Sequence, residues 1–265
     1  MTTIDIVLKN IKLLQQELLK MDSLIQDEII SIIIDGSVVR KDFLENSSDI
    51  DITITKSNNN IDLDIKKRVE ETIREVESKL PIREFPRKPL IYDIQWQNLE
   101  IVRETGHREI QEWNSSNIPS GYPKLWLYAF DSIKYHNVIY GEDMTELYTK
   151  ISPKYFVPIR IERIIKSVKN LQGNISYYEL NKGGITQIKN AWEAIRCICI
   201  ANGLESINKN DVYRFSKELF KEREELLTIE DLYGFYLNKE NSKLMVGDFR
   251  SRLCNFTLEI IEKYY

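Results

Sequence analysis

Asp49 and Asp51 stand at i and i+2 in the run Ser48-Asp49-Ile50-Asp51-Ile52-Thr53-Ile54, which follows closely on the pair Gly36-Ser37. On a strand successive side chains alternate between faces, so both carboxylates share one face while Ile50, Ile52 and Ile54 take the other. Two carboxylates side by side raise each other's proton affinity unless a cation lies between them. Mg2+ suits such a pair, because it is commonly held by one or two carboxylates together with substrate phosphates and water. These residue types at this spacing point to a site for metal ions and a nucleoside triphosphate.

The segment upstream supplies a cradle for the phosphates. Ile29 to Ile34, apolar and β-branched apart from Ser31, reads as a buried strand that ends at Asp35-Gly36-Ser37. Gly36 lets the backbone approach a ligand closely. A short helix starting at Ser37 or Val38 would turn its free N–H groups and the Ser37 hydroxyl toward an anion. Arg40, one turn on, would bring a guanidinium within reach of a phosphate oxygen.

A third carboxylate is expected on a hairpin formed by Leu90 to Trp96 and Leu99 to Arg103, with Gln97-Asn98 as its turn. In that register Asp93, Gln95 and Glu100 share one face, and Tyr92, Ile94, Trp96, Leu99 and Ile101 share the core face. Asp93 is the expected third acid, with Glu100 as the alternative. Ordinary solvation on a half-exposed strand is the plain reading of either.

These residues need elements to hold them. Ile4 to Met21 carries Ile6, Leu8, Ile11, Leu14 and Leu18 with charges between, the pattern of an amphipathic helix. Ile61 to Leu80 repeats that pattern, and Pro81, Pro86 and Pro89 close it. Beyond Gly106 the pattern turns helical, over 125–140, 158–172, 185–201, 209–226, 229–237 and 246–264, punctuated by Gly173-Asn174, Gly183-Gly184, Gly203 and Gly247. The expected fold class is α+β: a mixed sheet with helices over residues 1–105, then an α-helical bundle domain over 106–265.

Composition narrows the function. The 265 residues, 42% hydrophobic, suffice for real cores. A net charge of −4, from 37 basic and 41 acidic residues, gives no basic field for a nucleic-acid partner. Three cysteines, with Cys197 and Cys199 two apart on a helix, form neither a disulfide framework nor a zinc pair and read as core thiols. Arg196 interrupts the best apolar run, so no membrane span and no secretory leader are read, and a cytoplasmic protein is expected. Neither His107 nor His136 has a cysteine or a ligand-spaced acid beside it in sequence. Trp126 and Trp192 read as core, whereas Trp113, in a polar stretch near Glu109 and Glu112, is the better candidate to line a cleft.

Gly36, Ser37, Asp49 and Asp51, behind an apolar strand, resemble the signature of the nucleotidyltransferase superfamily with the DNA polymerase β-like fold. That signature is a Gly-Ser pair after the first strand, Asp-x-Asp on the next, and a further acid on a later strand. A narrower resemblance joins Tyr140-Gly141-Glu142-Asp143-Met144, Phe156-Val157-Pro158, Arg196 through Gly203 and Lys209-Asn210-Asp211-Val212 to the helical domain of the streptomycin and spectinomycin adenylyltransferases. The resemblance implies transfer of AMP from ATP to a hydroxyl of a small acceptor such as an aminoglycoside, and hence antibiotic resistance. It implies two Mg2+ ions on Asp49, Asp51 and Asp93, and phosphate contacts from Gly36, Ser37, Arg40 and Lys209. In that family the third acid is a glutamate acting as base, one methylene longer than Asp93, so the base stays open between Asp93 and Glu100. A rival reading is an antitoxin-type or regulatory nucleotidyltransferase that binds or modifies a protein. The oligomeric state is not legible in the sequence.

Overall fold

A computed structural model of the chain describes residues 2–43, 48–58, 61–82, 90–100, 102, 133–147, 153–173, 179–236 and 247–265. The chain divides into two compact units, the first Met1–Glu109 with Ala129–Lys150 and the second Ile110–Tyr128 with Ile151–Tyr265.

The first unit opens with helix α1 (Thr3–Lys20). Its N-terminus is closed by a reciprocal cap, in which the Thr2 hydroxyl accepts from the Asp5 N–H and Asp5 Oδ2 accepts from the Thr2 N–H at 2.9 Å. The single turn α2 (Asp22–Ile25) leads into strand β1 (Ile29–Asp35), the turn α3 (Ser37–Arg40), strand β2 (Ile50–Lys56), helix α4 (Leu63–Glu77), strand β3 (Tyr92–Asn98) and strand β4 (Asn137–Gly141). The sheet has the order β3-β2-β1-β4. Strands β2 and β4 run antiparallel to β1, and β3 runs parallel to β2. A parallel neighbour needs a long crossover, which α4 supplies.

The period of two expected for β2 sorts this sheet into an apolar and a polar face. Ile32, Ile34, Ile50, Ile52, Ile54 and Tyr92 enter one core cluster with Val7, Ile11, Leu14 and Leu18 of α1 and Val69, Ile73 and Val76 of α4. Full burial of each such side chain is worth about 1.5–3 kcal/mol, so the isoleucine ladder secures the strands on which the acids stand. The opposite face carries Ser31, Asp35, Asp51, Thr53, Thr55, Asp93, Gln95 and Gln97, residues paired with one another through the register of β1, β2 and β3.

Three expectations are corrected. The hairpin at Gln97-Asn98 is absent: β3 runs through both residues, pairing with β2 from Ile50↔Tyr92 to Lys56↔Asn98, and Leu99 and Glu100 then turn helical. A two-residue hairpin turn needs positive φ, which neither residue has, whereas Asn98 Oδ1 accepts from the Glu100 N–H at 2.9 Å and so starts a helical turn. The first unit does not end at residue 105 either. Of the helix expected over 125–140, residues 125–132 lie outside the described residues, and 137–140 belong instead to β4, which pairs with β1 from Ile34↔Asn137 to Ser31↔Gly141. Gly141 has φ +72, and a Cβ there would lie 1.9 Å from the Ile30 carbonyl oxygen, so only glycine permits this approach. In the second unit, helix ends differ from those expected.

In that unit 3-10 turns lead into α5 (Val157–Gly173), followed by α6 (Glu179–Ala201), α7 (Lys209–Leu219), α8 (Arg223–Tyr236) and α9 (Gly247–Tyr264). Helix α6 packs against all four others, which is why Trp192, Ile195, Cys197, Ile198 and Cys199 are buried around its circumference. Gly183-Gly184 lies within α6 rather than breaking it. The helix expected over 209–226 stops at Leu219, because Phe220 is extended (φ −83, ψ 132) and fully buried, edge-on to Tyr264 at 4.6 Å. The three cysteines are free and buried as expected, and burial pushes the Cys199 thiol up to about 12. Among the described residues no helix is long and apolar enough to cross a membrane.

Candidate active site

The site is built where β1 ends. Gly36 adopts φ 73 and ψ −152, a region essentially closed to residues with a side chain. The turn it makes throws the chain into α3, whose first residue, Ser37, is buried. A Cβ on Gly36 would lie 2.0 Å from Asp51 Oδ2 and 2.9 Å from Asp51 Cγ. The carboxylate of β2 thus rests against the bare α-carbon of the Gly-Ser turn, and the two halves of the sequence motif form one surface.

Register places the remaining acids. Asp51 is the partner of Asp35 on β1 and of Asp93 on β3, so three carboxylates stand in a row across the polar face. Asp49, two residues before Asp51, adds a fourth at the mouth of β2, and all four are only partly exposed. Asp93 therefore stands beside Asp51, on a strand parallel to β2 and not on a hairpin. Glu100 does not share that face by strand alternation: it lies beyond β3, exposed, on the helical turn.

Two acids carry signals that the sequence reading passed over. Asp35, which in the sequence is simply the end of an apolar strand, stands beside Asp51 and accepts a hydrogen bond from Thr53 Oγ1 at 3.1 Å. Its position at the abrupt end of an isoleucine run was the available clue. Asp42 was given no role, yet its Oδ1 lies 3.2 Å from Arg40 Nε, with both side chains almost wholly withdrawn from solvent. Arg40 thus faces Asp42, and any contact with phosphate competes with that ion pair. Lys41 between them closes α3 in the left-handed conformation at φ 64.

The second unit holds Lys209 as the first residue of α7, behind the cap in which Asn208 Oδ1 accepts from the Asn210 N–H at 2.8 Å. Tyr140 and Gly141, which the sequence reading assigned to the helical part, belong to the sheet of the first unit. His136 Nε2 lies 2.9 Å from Asp143 Oδ2 across the ends of β4. Burial raises the Asp143 carboxyl, but hydrogen bonds from Thr145 and His136 outweigh it and hold the group below its ordinary value. Trp192 is buried, whereas Trp113, Trp126, Glu109, Glu112 and His107 lie outside the described residues.

The donor set can be tested against a divalent cation. Among the described residues no group of three or more His, Cys, Asp or Glu side chains is gathered into a ready-made metal cage. The site offers instead a carboxylate pair on β2, a third acid on the adjacent strand and a glycine cradle. That set fits a cation drawing the rest of its shell from substrate phosphates and water.

Residues 11–98 match the family described as nucleotidyltransferase domain. The match runs from within α1 to the end of β3, about a third of the chain, and contains Gly36, Ser37, Asp49, Asp51 and Asp93. The chain as a whole is similar in structure to spectinomycin adenyltransferase AAD(9) from Enterococcus faecialis, solved with ATP and spectinomycin. The TM-score is 0.59 at 14% sequence identity, covering 92% of this chain and 98% of that one. At that identity the likeness speaks for the fold, an α+β arrangement of a mixed sheet with a helical region. No curated protein matches the sequence.

Proposed function

We propose that this protein transfers AMP from ATP to a hydroxyl of a small acceptor, with aminoglycosides as the first acceptor class to test. The observation that carries the reading is the seating of the Asp51 carboxylate on Gly36, with Asp93 as its register partner. A phosphate cradle and a row of acids at one strand end are what an in-line displacement at an α-phosphate needs. The fold shared with an adenyltransferase solved with ATP and spectinomycin supports the choice of nucleotide and acceptor.

The Gly36 turn admits the triphosphate close to the backbone, and the Ser37 hydroxyl and α3 N–H groups hydrogen-bond its oxygens. Arg40, if released from Asp42, would add charge to the same tail. Asp49 and Asp51 would hold two Mg2+ ions, which would neutralise the phosphate oxygens at attack and departure. Asp93 accepts the proton of the acceptor hydroxyl as its oxygen bonds to the α-phosphorus and pyrophosphate leaves.

Mg2+ with a nonhydrolysable ATP analogue should raise Tm, since ligand at a hundred times its Kd adds about 2.7 kcal/mol. A thermal melt that stays unmoved by ATP, GTP, CTP and UTP analogues at millimolar Mg2+ would remove the reading. Asp93→Asn should depress the chemical step with little change in nucleotide affinity, and Glu100→Gln should be nearly silent. Single-turnover rates of the two variants decide this, and the reverse pattern would move the base to Glu100.

A further inference from the structure

We propose that Glu77, acting with Arg74 and Asn10 through Tyr92, is a positioning residue that sets Asp93 against Asp51, a role resting on the transfer reading above. Tyr92 and Asp93 are successive strand residues, so their side chains point to opposite faces. The Tyr92 ring enters the core cluster beneath α1 and α4, and Asp93 stands on the polar face. Whatever immobilises Tyr92 immobilises the peptide from which Asp93 hangs.

Three bonds do so, all from outside the sheet. Strand β3 is at the edge of the sheet among the described residues. The Ile91 carbonyl accepts from the Ile50 N–H at 3.0 Å, so Ile91 faces β2. In a parallel pair the next residue then turns both backbone groups away. At Tyr92 those outward groups meet the last turn of α4: the N–H donates to Glu77 Oε2 at 2.7 Å, and the carbonyl accepts from Arg74 Nη1 at 3.2 Å. Arg74 and Glu77 are themselves ion-paired. The pair thus gives Tyr92 the donor and acceptor that a further strand would have supplied. The Tyr92 hydroxyl donates to Asn10 Oδ1 at 2.8 Å, and Asn10 Nδ2 donates to the Val76 carbonyl at 2.8 Å, tying α1, α4 and β3 at one point. Asn10 is itself buried, so its amide is held by partners rather than by water.

Glu77→Ala separates this role from plain stability. Hydrogen exchange should quicken in the segment 90–98 and not in 29–35. Below Tm, kcat should fall about tenfold with KM for Mg-ATP little changed, because a sub-ångström shift of a reacting group is costly in rate. Glu77→Gln, whose amide oxygen still accepts the Tyr92 N–H, should restore kcat. In an Asp93→Asn background Glu77→Ala should have no further effect on kcat, since the two act as one unit. Should Glu77→Ala not fold, Tyr92→Phe, which deletes only the bond to Asn10, is put through the same comparison. Unchanged exchange at 90–98, or an undiminished kcat alongside faster exchange, overturns the positioning role even when the wild type transfers nucleotide. A wild type inactive with every nucleotide overturns the transfer reading and this role with it, and leaves the exchange result as a statement about the strand edge alone.

Discussion

Replacing Asp51 with asparagine is expected to lower nucleotidyl transfer on the order of a hundredfold or more while leaving the fold intact, the size of effect that follows loss of one preorganised electrostatic group. Asp51 lies at the centre of the site, between Asp35 and Asp93 in register and against Gly36. Asparagine keeps its shape and its seat on the glycine, so the loss is of charge and not of packing. Removing one of several neighbouring carboxylates also relieves repulsion, so without metal the variant should melt no lower than the wild type. Asp49→Asn should behave alike. Near-normal transfer by either variant would show that β2 does not bring the charge that the reaction uses.

Gly36→Ala is expected to damage both stability and activity. The residue sits at φ 73 and ψ −152, and the added methyl would fall 2.0 Å from Asp51 Oδ2. Strain in this backbone region costs on the order of 1–3 kcal/mol, and the overlap must be relieved by moving either the turn or the carboxylate. A melting temperature lowered by roughly 5 °C or more, with transfer lost even at temperatures where the variant is folded, is the expected pair of results. A variant with wild-type Tm and rate would mean that the turn and Asp51 are not in contact, and the single-surface description of the site would fall.

Much of the site was legible before any coordinates, because its signals are local. A β-branched run that stops at Asp35-Gly36-Ser37 can hardly be anything but a buried strand entering a turn. Asp49 and Asp51 share a face for the same reason that Ile50 and Ile52 share the other. As a candidate, Asp93 rests on a mixture of sound and unsound steps. Its alternation with Tyr92 and Ile94 held, while the hairpin that placed Glu100 beside it did not. Gln97-Asn98 has the polarity of a turn but not the positive φ that a tight hairpin requires, and the side chain of Asn98 favours opening a helix.

What the sequence by itself determined is the set of features that depend on near neighbours in the chain: the strand faces, the Gly-Ser turn, the amphipathic helices, and the acid pair that stands in strand alternation. Only the tertiary structure decided which strand lies beside which. The parallel seating of β3 on β2 put Asp93 next to Asp51, the antiparallel seating of β1 brought Asp35 into the same row, and β4 returned from beyond residue 105 to complete the sheet. Strand partners are chosen by burial summed over the whole apolar face and by backbone bonds between distant segments, quantities that no window of the sequence contains. The same holds for Arg40 with Asp42 and for Tyr92 with Glu77, where solvent exclusion by the assembled fold decides whether a charged side chain is met by water or by a neighbour.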